Sequence, residues 1–389
     1  METIKSFFVI ATDGDVHGEN STILKQNLWR NFSASMGFRG EIEPEFLSTI
    51  SILWLRAQPP TAQEHFAMGL AYTCMMILGV TGNSLVIYMF YRCRTLRTPA
   101  NTLVINLALS DLGMMAKIPV VIYNSFHYGP ALGSLACQLY GFIGGLTGTV
   151  SIATLTAIAF ERYRVIVYPL SSQRSASHQR IIIGFVWCFA LFFSGIPLLD
   201  IGMGRYVPEG YITCCSFDYL SASVRTKIFL VVFFICAWCV PFLTIAFCYL
   251  QILRAVAFTN RLQCTKNCSK IEMKLAAVVF GVIALWFIAW TPYAVVALLG
   301  ISKFRYLLTP FNSMLPAFFC KAAACLNPYF YALTHPRFRH EIRRMFNEAG
   351  RKGTLKYVTS FSRFATRRRT IREAFDSEDA GERRAEAAE

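Results

Sequence analysis

One amine lies where an amine is expensive. The run from Tyr306 to Thr334 is apolar apart from Lys321, which sits near its middle. An ammonium at the centre of a bilayer costs about 2.5–3.5 kcal/mol on insertion scales. A lysine kept there needs a counter-ion, loss of its proton, or a covalent partner that changes its chemistry. The covalent route is a recurrent use of buried lysines: the amine attacks an aldehyde and forms a Schiff base with loss of water. A structural ion pair is the plain alternative. A second amine, Lys117, shares the apolar stretch 100–126 with Asp111. The cysteines offer no metal chemistry. Cys236 and Cys239 have CxxC spacing but fall inside an apolar run, so they read as packing residues, and no metal site is expected.

The elements that position these residues are membrane spans. The chain is 54% hydrophobic and only 16% charged, which is unlike a soluble domain. Seven apolar stretches follow one another: Phe66–Tyr91, Ala100–Phe126, Gly133–Phe160, Ile181–Leu199, Ile228–Leu253, Leu275–Ser302 and Tyr306–Thr334. Each is long enough to cross a hydrocarbon core of roughly 30 Å as a helix. Their continuity argues against a barrel, whose strands alternate and are shorter. The loops 92–99, 161–180 and 254–274 carry 3, 4 and 5 lysines or arginines, against 0, 3 and 2 in 127–132, 200–227 and 303–305. That bias predicts an extracellular N-terminus and a cytoplasmic C-terminus. The net charge of +15 falls mainly between spans and in the tail, which suits an anionic leaflet rather than nucleic acid.

The expected architecture is an all-α seven-transmembrane helix bundle with a short amphipathic eighth helix. Residues 1–65 read as an extracellular segment with sequons at Asn20 and Asn31. Its apolar patch Phe46–Leu55 is too short to span, and Phe7–Ala11 is too short for a signal peptide. Residues 66–334 form the bundle. Residues 335–347 open on His335-Pro336-Arg337 and form the amphipathic helix. Residues 348–389, with Arg367-Arg368-Arg369 and an acidic end, read as a disordered cytoplasmic tail.

Five motifs then fall in order on the spans: Gly82-Asn83, Asn106-Leu107-Ala108-Leu109-Ser110-Asp111, Glu161-Arg162-Tyr163, Ala289-Trp290-Thr291-Pro292-Tyr293, and Asn327-Pro328-x-x-Tyr331. Together they resemble the rhodopsin-like class of G-protein-coupled receptors over roughly residues 66–347. The stretch FFCKAAACLNPYFYAL resembles the retinal-attachment helix of the opsins. The resemblance implies that Lys321 binds retinal, 11-cis or a 3-hydroxy derivative, as a Schiff base. Lys321 and Pro328 are seven residues apart, two helical turns, so they share a face.

The resemblance assigns further roles. Tyr140, three residues after Cys137, stands where vertebrate visual opsins have glutamate, and it can donate a hydrogen bond in the pocket. The stretch Arg205-Tyr206-Val207-Pro208-Glu209-Gly210 resembles the second extracellular loop of opsins, and the resemblance implies Glu209 as the counter-ion; the alternative is a solvated loop acid. Cys137 and Cys215 resemble the disulfide of the family, with Cys214 an adjacent competitor. Trp290 and Tyr293 are implied to line the pocket. Met114 to Phe126 resembles the second helix of ultraviolet-sensitive arthropod opsins, which carry a lysine at the position of Lys117. A cation there disfavours a proton on the Schiff-base nitrogen, and an unprotonated Schiff base absorbs at shorter wavelength. The alternative is a lysine that snorkels to the outer interface.

On the inner side, Arg162 is flanked by Glu161 and Tyr163. The resemblance pairs it with Glu272 at rest and frees it for a G protein on activation. Asn83, Asp111 and Asn327 are candidates for one buried polar network. The sequence after Thr334 resembles invertebrate visual opsins, which favours a Gq-type G protein; the third cytoplasmic loop, with Cys264 and Cys268, departs from that pattern. Arrestin and a receptor kinase are the expected partners of the Ser/Thr-containing tail. The chain is thus expected to be a light receptor in the cell membrane, short-wavelength sensitive, and not an enzyme. Two alternatives remain: an opsin-like retinal photoisomerase, and a chemosensory receptor that keeps Lys321 unused.

Overall fold

The computed structural model describes residues 19–93, 97, 101–168, 176–199, 201–261, 266–334 and 339–345. All but the last stretch belong to one compact unit, Met1–His335; in the second unit, Pro336–Glu389, residues 339–345 are helical. Glu272 and Tyr331 lie on helices, but their side chains are outside the described residues, as are His335, Pro336 and Arg337 altogether.

The first span, α4 (Ala62–Arg92), starts on a capping box. Thr61 Oγ1 accepts from Glu64 N at 3.3 Å, and the Glu64 carboxylate accepts from Thr61 N at 2.7 Å. The second span is two helices, α5 (Thr102–Ala116) and α6 (Ile118–Phe126), which meet at Lys117. Pro119 explains the break: it has no N–H to give, and its ring crowds the carbonyl four residues back. The third span is α7 (Gly133–Val167) and the fourth α8 (Ala176–Gly195). The fifth is α9 (Val224–Phe234), one π-helical turn at Ile235–Cys239, and α10 (Val240–Arg261). The π turn ends two residues before Pro241, and such single turns are the usual form of π-helix inside α-helices. α11 (Lys266–Ile301) carries Pro292 inside it, and α12 (Pro310–Thr334) carries Pro316 and Pro328.

α7 is the central column. It packs against α5, α8, α10 and α11, while α12 packs against α4, α5 and α11. Leu107, Ile152, Leu155, Ile245, Ile252 and Val282 form the core on the side of Arg162. Among the described residues, six spans are long and apolar enough to cross a membrane, and α12 is the seventh member of the bundle. Large apolar side chains such as Phe185, Ile288 and Leu135 point outward at 70–73% exposure. Water would reject such a surface, whereas lipid tails accept it.

At the other end a hairpin lies across the bundle. β1 (Tyr206–Glu209) and β2 (Cys214–Phe217) pair antiparallel, with Glu209 opposite Cys214. Gly210 and Ile212 in its turn take φ of 55° and 60°. Ile212 is β-branched and strained there. It is held in place by burial at 1% exposure. Hydrogen bonds that pin the hairpin to the spans include Gln138 Nε2 to Tyr206 O at 2.9 Å, Asn124 Nδ2 to Thr213 O at 3.0 Å, Tyr206 OH to Ser194 O at 2.8 Å, and Tyr211 OH to Glu64 Oε1 at 3.2 Å.

The segment before the first span is more structured than its polar composition suggests. It contains α1 (Glu19–Met36), α2 (Pro44–Thr49) and α3 (Ile52–Arg56). Ser51 splits the apolar patch by capping Leu53 N at 3.2 Å. Trp29, Phe32, Ile50, Trp54 and Leu55 then pack in one cluster with Ile212 of the hairpin and with Leu230 and Val296 of the spans. The patch is too short to cross a membrane and is instead the underside of a cap. Trp54 is 1% exposed. Replacing it by alanine is expected to cost about 3–5 kcal/mol and to lower the unfolding temperature of the retinal-free protein measurably. An unchanged unfolding temperature would mean that the cap adds nothing to the fold.

Candidate ligand pocket and signalling face

The pocket has two lobes that share Gly145, Phe217, Trp290 and Tyr293. The first is charged. Lys321, 6% exposed on α12, donates from Nζ to Ala317 O at 2.6 Å. That bond uses one of its three donor positions. Its Nζ lies 5.8 Å from the centroids of both the Tyr72 and Tyr140 rings. Lys117 lines the same lobe at 6% exposure, with Nζ 4.3 Å from the Tyr140 ring centroid. The α5–α6 break turns this side chain into the bundle, so it does not snorkel to an interface. Tyr140 meets it with its ring, a cation–π contact that an aromatic face offers to a desolvated ammonium.

Glu209, at the end of β1, is the carboxylate that lines this lobe, at 2% exposure. Its Oε1 accepts from Tyr219 OH at 2.7 Å. Burial pushes its carboxyl above the ordinary value of 4.5, while the hydrogen bond from Tyr219 and the charge of Lys321 pull it back down. Among the described residues, no hydrogen bond links Glu209 to either lysine. The two amines and one carboxylate share the lobe without closing into a pair.

The second lobe is apolar and aromatic, bounded by Trp286, Trp290, Phe217, Phe233 and Tyr293. Trp290 stacks on Trp286 with centroids 5.2 Å apart and planes 10° apart. A Cβ on Gly148 would run into the Trp290 ring, and one on Gly145 would come within 3.0 Å of Phe217. These glycines therefore keep α7 open where the lobe needs width. An aldehyde on a long apolar polyene fits this arrangement: an amine at one end and an aromatic slot at the other.

The hairpin is fixed over the pocket by the disulfide Cys137–Cys215, with Cα atoms 5.3 Å apart. Cys214 is free and buried, with its Sγ 3.6 Å from Met314 Sδ. Asn31 is exposed on α1, and the side chain of Asn20 lies outside the described residues. On the axis of the bundle, Asn327 Nδ2 donates to Asp111 Oδ2 at 2.8 Å, and Ser151 Oγ donates to Asp111 Oδ1 at 3.2 Å. Asn83 Nδ2 bonds the backbone of α12 at Ala324 O, 3.1 Å away, rather than the Asp111 carboxylate. Glu161 and Arg162 are buried near the end of α7, at 5% and 7% exposure. Tyr163 contacts Phe247 of α10 edge-on at 5.8 Å. Whether Glu272 meets Arg162 falls outside the described side chains.

Three participants escape sequence reasoning. Tyr219 lies in the stretch Cys215-Ser216-Phe217-Asp218-Tyr219, but nothing local says that its hydroxyl reaches back to Glu209. Tyr72 comes from α4, and its place beside Lys321 is a matter of helix packing. Gly144 has no side chain to signal its position against Lys117.

The family model described as 7 transmembrane receptor (rhodopsin family) matches residues 82–331. An ultraviolet-sensitive opsin of Apis mellifera is 37% identical over 306 residues, covering 75% of this chain and 82% of the relative. A Gq-coupled rhodopsin of Mizuhopecten yessoensis is 34% identical over 327 residues, covering 80% of this chain and 64% of the relative. The crystal structure of squid rhodopsin superposes with a TM-score of 0.72 at 33% identity, covering 77% of this chain and 90% of that one. The chain belongs to the rhodopsin family of seven-transmembrane receptors and, within it, to the opsins.

Proposed function

We propose that this chain is a light-activated receptor in which Lys321 Nζ holds retinal covalently, that it responds to ultraviolet or blue light, and that it couples to a Gq-type G protein. Retinal, 11-cis or a 3-hydroxy derivative, supplies the absorption of light and a light-driven change of shape when bound. The observation that carries the reading is the convergence of Lys321, Lys117 and Glu209 on one buried lobe. Lys321 Nζ is the amine for the aldehyde end, and Trp290, Phe217 and Tyr293 receive the apolar remainder. Lys117 Nζ disfavours a proton on the nitrogen of Lys321, and Glu209 favours one. With two amines against one carboxylate, and with Glu209 already engaged by Tyr219, we assign the dark state a nitrogen without its proton.

The signalling route starts at the same residues. Trp290 lines both lobes, so a change of shape there presses directly on α11 near Pro292. Lys321 sits two turns from Pro328 on α12, next to the Asn327–Asp111 bond. Both helices carry a proline where they would yield. Movement at these points is read at the end of α7, where Arg162 meets the G protein in the active state. The Gq assignment rests on the name of the scallop relative, and the short-wavelength assignment on Lys117 and on the name of the honeybee relative. The basic bias of the loops supports a cytoplasmic tail as the binding region for arrestin and a receptor kinase.

Reconstitution with 11-cis-retinal tests the reading. The native chain should give a near-ultraviolet pigment, Lys321→Met none, and Lys117→Glu a pigment shifted to the red. An unshifted Lys117→Glu pigment would remove the tuning role, and a pigment from Lys321→Met would remove the attachment site. The raised carboxyl of Glu209 adds a stability test. A carboxyl whose folded value is raised holds its proton more tightly folded than unfolded. Its contribution is therefore fully present below about 4.5 and is lost as pH rises through the folded value. Thermal unfolding of the retinal-free protein should show this decline above pH 4.5, and Glu209→Gln should flatten it. An identical pH profile in the variant would show that Glu209 is solvated.

A further inference from the structure

The wall that faces the end of Lys117 is a glycine. Tyr140 and Gly144 are four residues apart on α7, one above the other on the same face. The Tyr140 ring lies 4.3 Å from Lys117 Nζ. A Cβ built on Gly144 would fall on Lys117 Nζ, with Cε 3.3 Å and Cδ 3.7 Å away. The whole outer half of the lysine thus runs along the gap that Gly144 leaves. The near end of the side chain is fixed by the α5–α6 break, so its freedom lies at the amine. Gly144 also lines the lobe that holds Lys321 and Glu209. A methyl group added there meets the free end of a flexible chain, so the amine would move and the helix would stay.

We propose that Gly144 is the positioning residue for Lys117: its missing side chain is the space in which the amine is seated, between α7 and the nitrogen of Lys321. The seat rests on geometry alone. Its effect on colour rests on the reading of Lys117 as a tuning residue. In that reading the glycine on α7 and the lysine at the α5–α6 break act as one unit, and neither tunes the pigment without the other.

Two readouts test this. In the retinal-free protein, a small amine-acetylating reagent followed by mass spectrometry of the Lys117 peptide reads where the amine is. The native chain should be protected, and Gly144→Ala should be labelled severalfold faster while the labelling of Lys321 is unchanged. In the reconstituted pigment, Gly144→Ala should shift absorption to the red, as should Lys117→Met. The double variant should shift no further than Lys117→Met alone, the non-additivity expected of residues in contact. Unchanged labelling together with a full additional shift in the double variant would overturn the seat. If Gly144→Ala alters labelling but Lys117→Met leaves the spectrum in place, the seat stands and the tuning reading falls. Should Gly144→Ala fail to fold, the double variant must recover folding, because it shortens the group that collides. Failure of both would overturn the proposal.

Discussion

Everything in the upper half of this bundle answers to one electrostatic constraint: two lysines and one glutamate share a buried lobe. Buried charges are tolerated when paired and hydrogen-bonded, and are costly otherwise. Here the pairing is incomplete. Glu209 takes its hydrogen bond from Tyr219, Lys321 gives one to Ala317 O, and Lys117 rests on an aromatic ring. A soluble protein would relieve such a site with water. This one covers it with a hairpin, a disulfide and a helical cap. In the proposed reading this imbalance makes the protonation of the Lys321 nitrogen a tunable quantity.

The cover explains why so much structure is invested away from the signalling face. Cys137–Cys215 holds β2 against α7, Asn124 and Gln138 hold the hairpin edges, and the cluster around Trp54 seals the top. Burial leaves the interactions among Lys117, Glu209 and Lys321 less screened than they would be at the surface. On the other side, the prolines of α11 and α12 and the Asn327–Asp111 bond give the same lobe a route to the end of α7. In the proposed reading, tuning and signalling share Lys321 and Trp290, and part from there.

Much of this was legible in the sequence because membranes make it so. A lysine in an apolar run stands out, and spans, loop charges and the ordered motifs locate Lys321, Arg162, Asp111 and Asn327 without coordinates. The direction of Lys117 was not legible. A lysine in the outer half of a helix reads equally well as snorkelling, and only the break before Pro119 turns it inward. Gly144 was hidden for a deeper reason: its role is a volume defined by a side chain on another element. The cap was visible as an apolar patch without a purpose, since its partners, Ile212, Leu230 and Val296, all lie more than 150 residues further along the chain.

The central claim is that the Lys321 nitrogen carries no proton in the dark. Vibrational spectroscopy of the dark pigment, prepared in H₂O and in D₂O, reads this directly through the C=N stretch. The account predicts a band that does not move on deuteration in the native pigment, because no exchangeable hydrogen sits on that nitrogen. A deuterium-sensitive band in the native chain would contradict it.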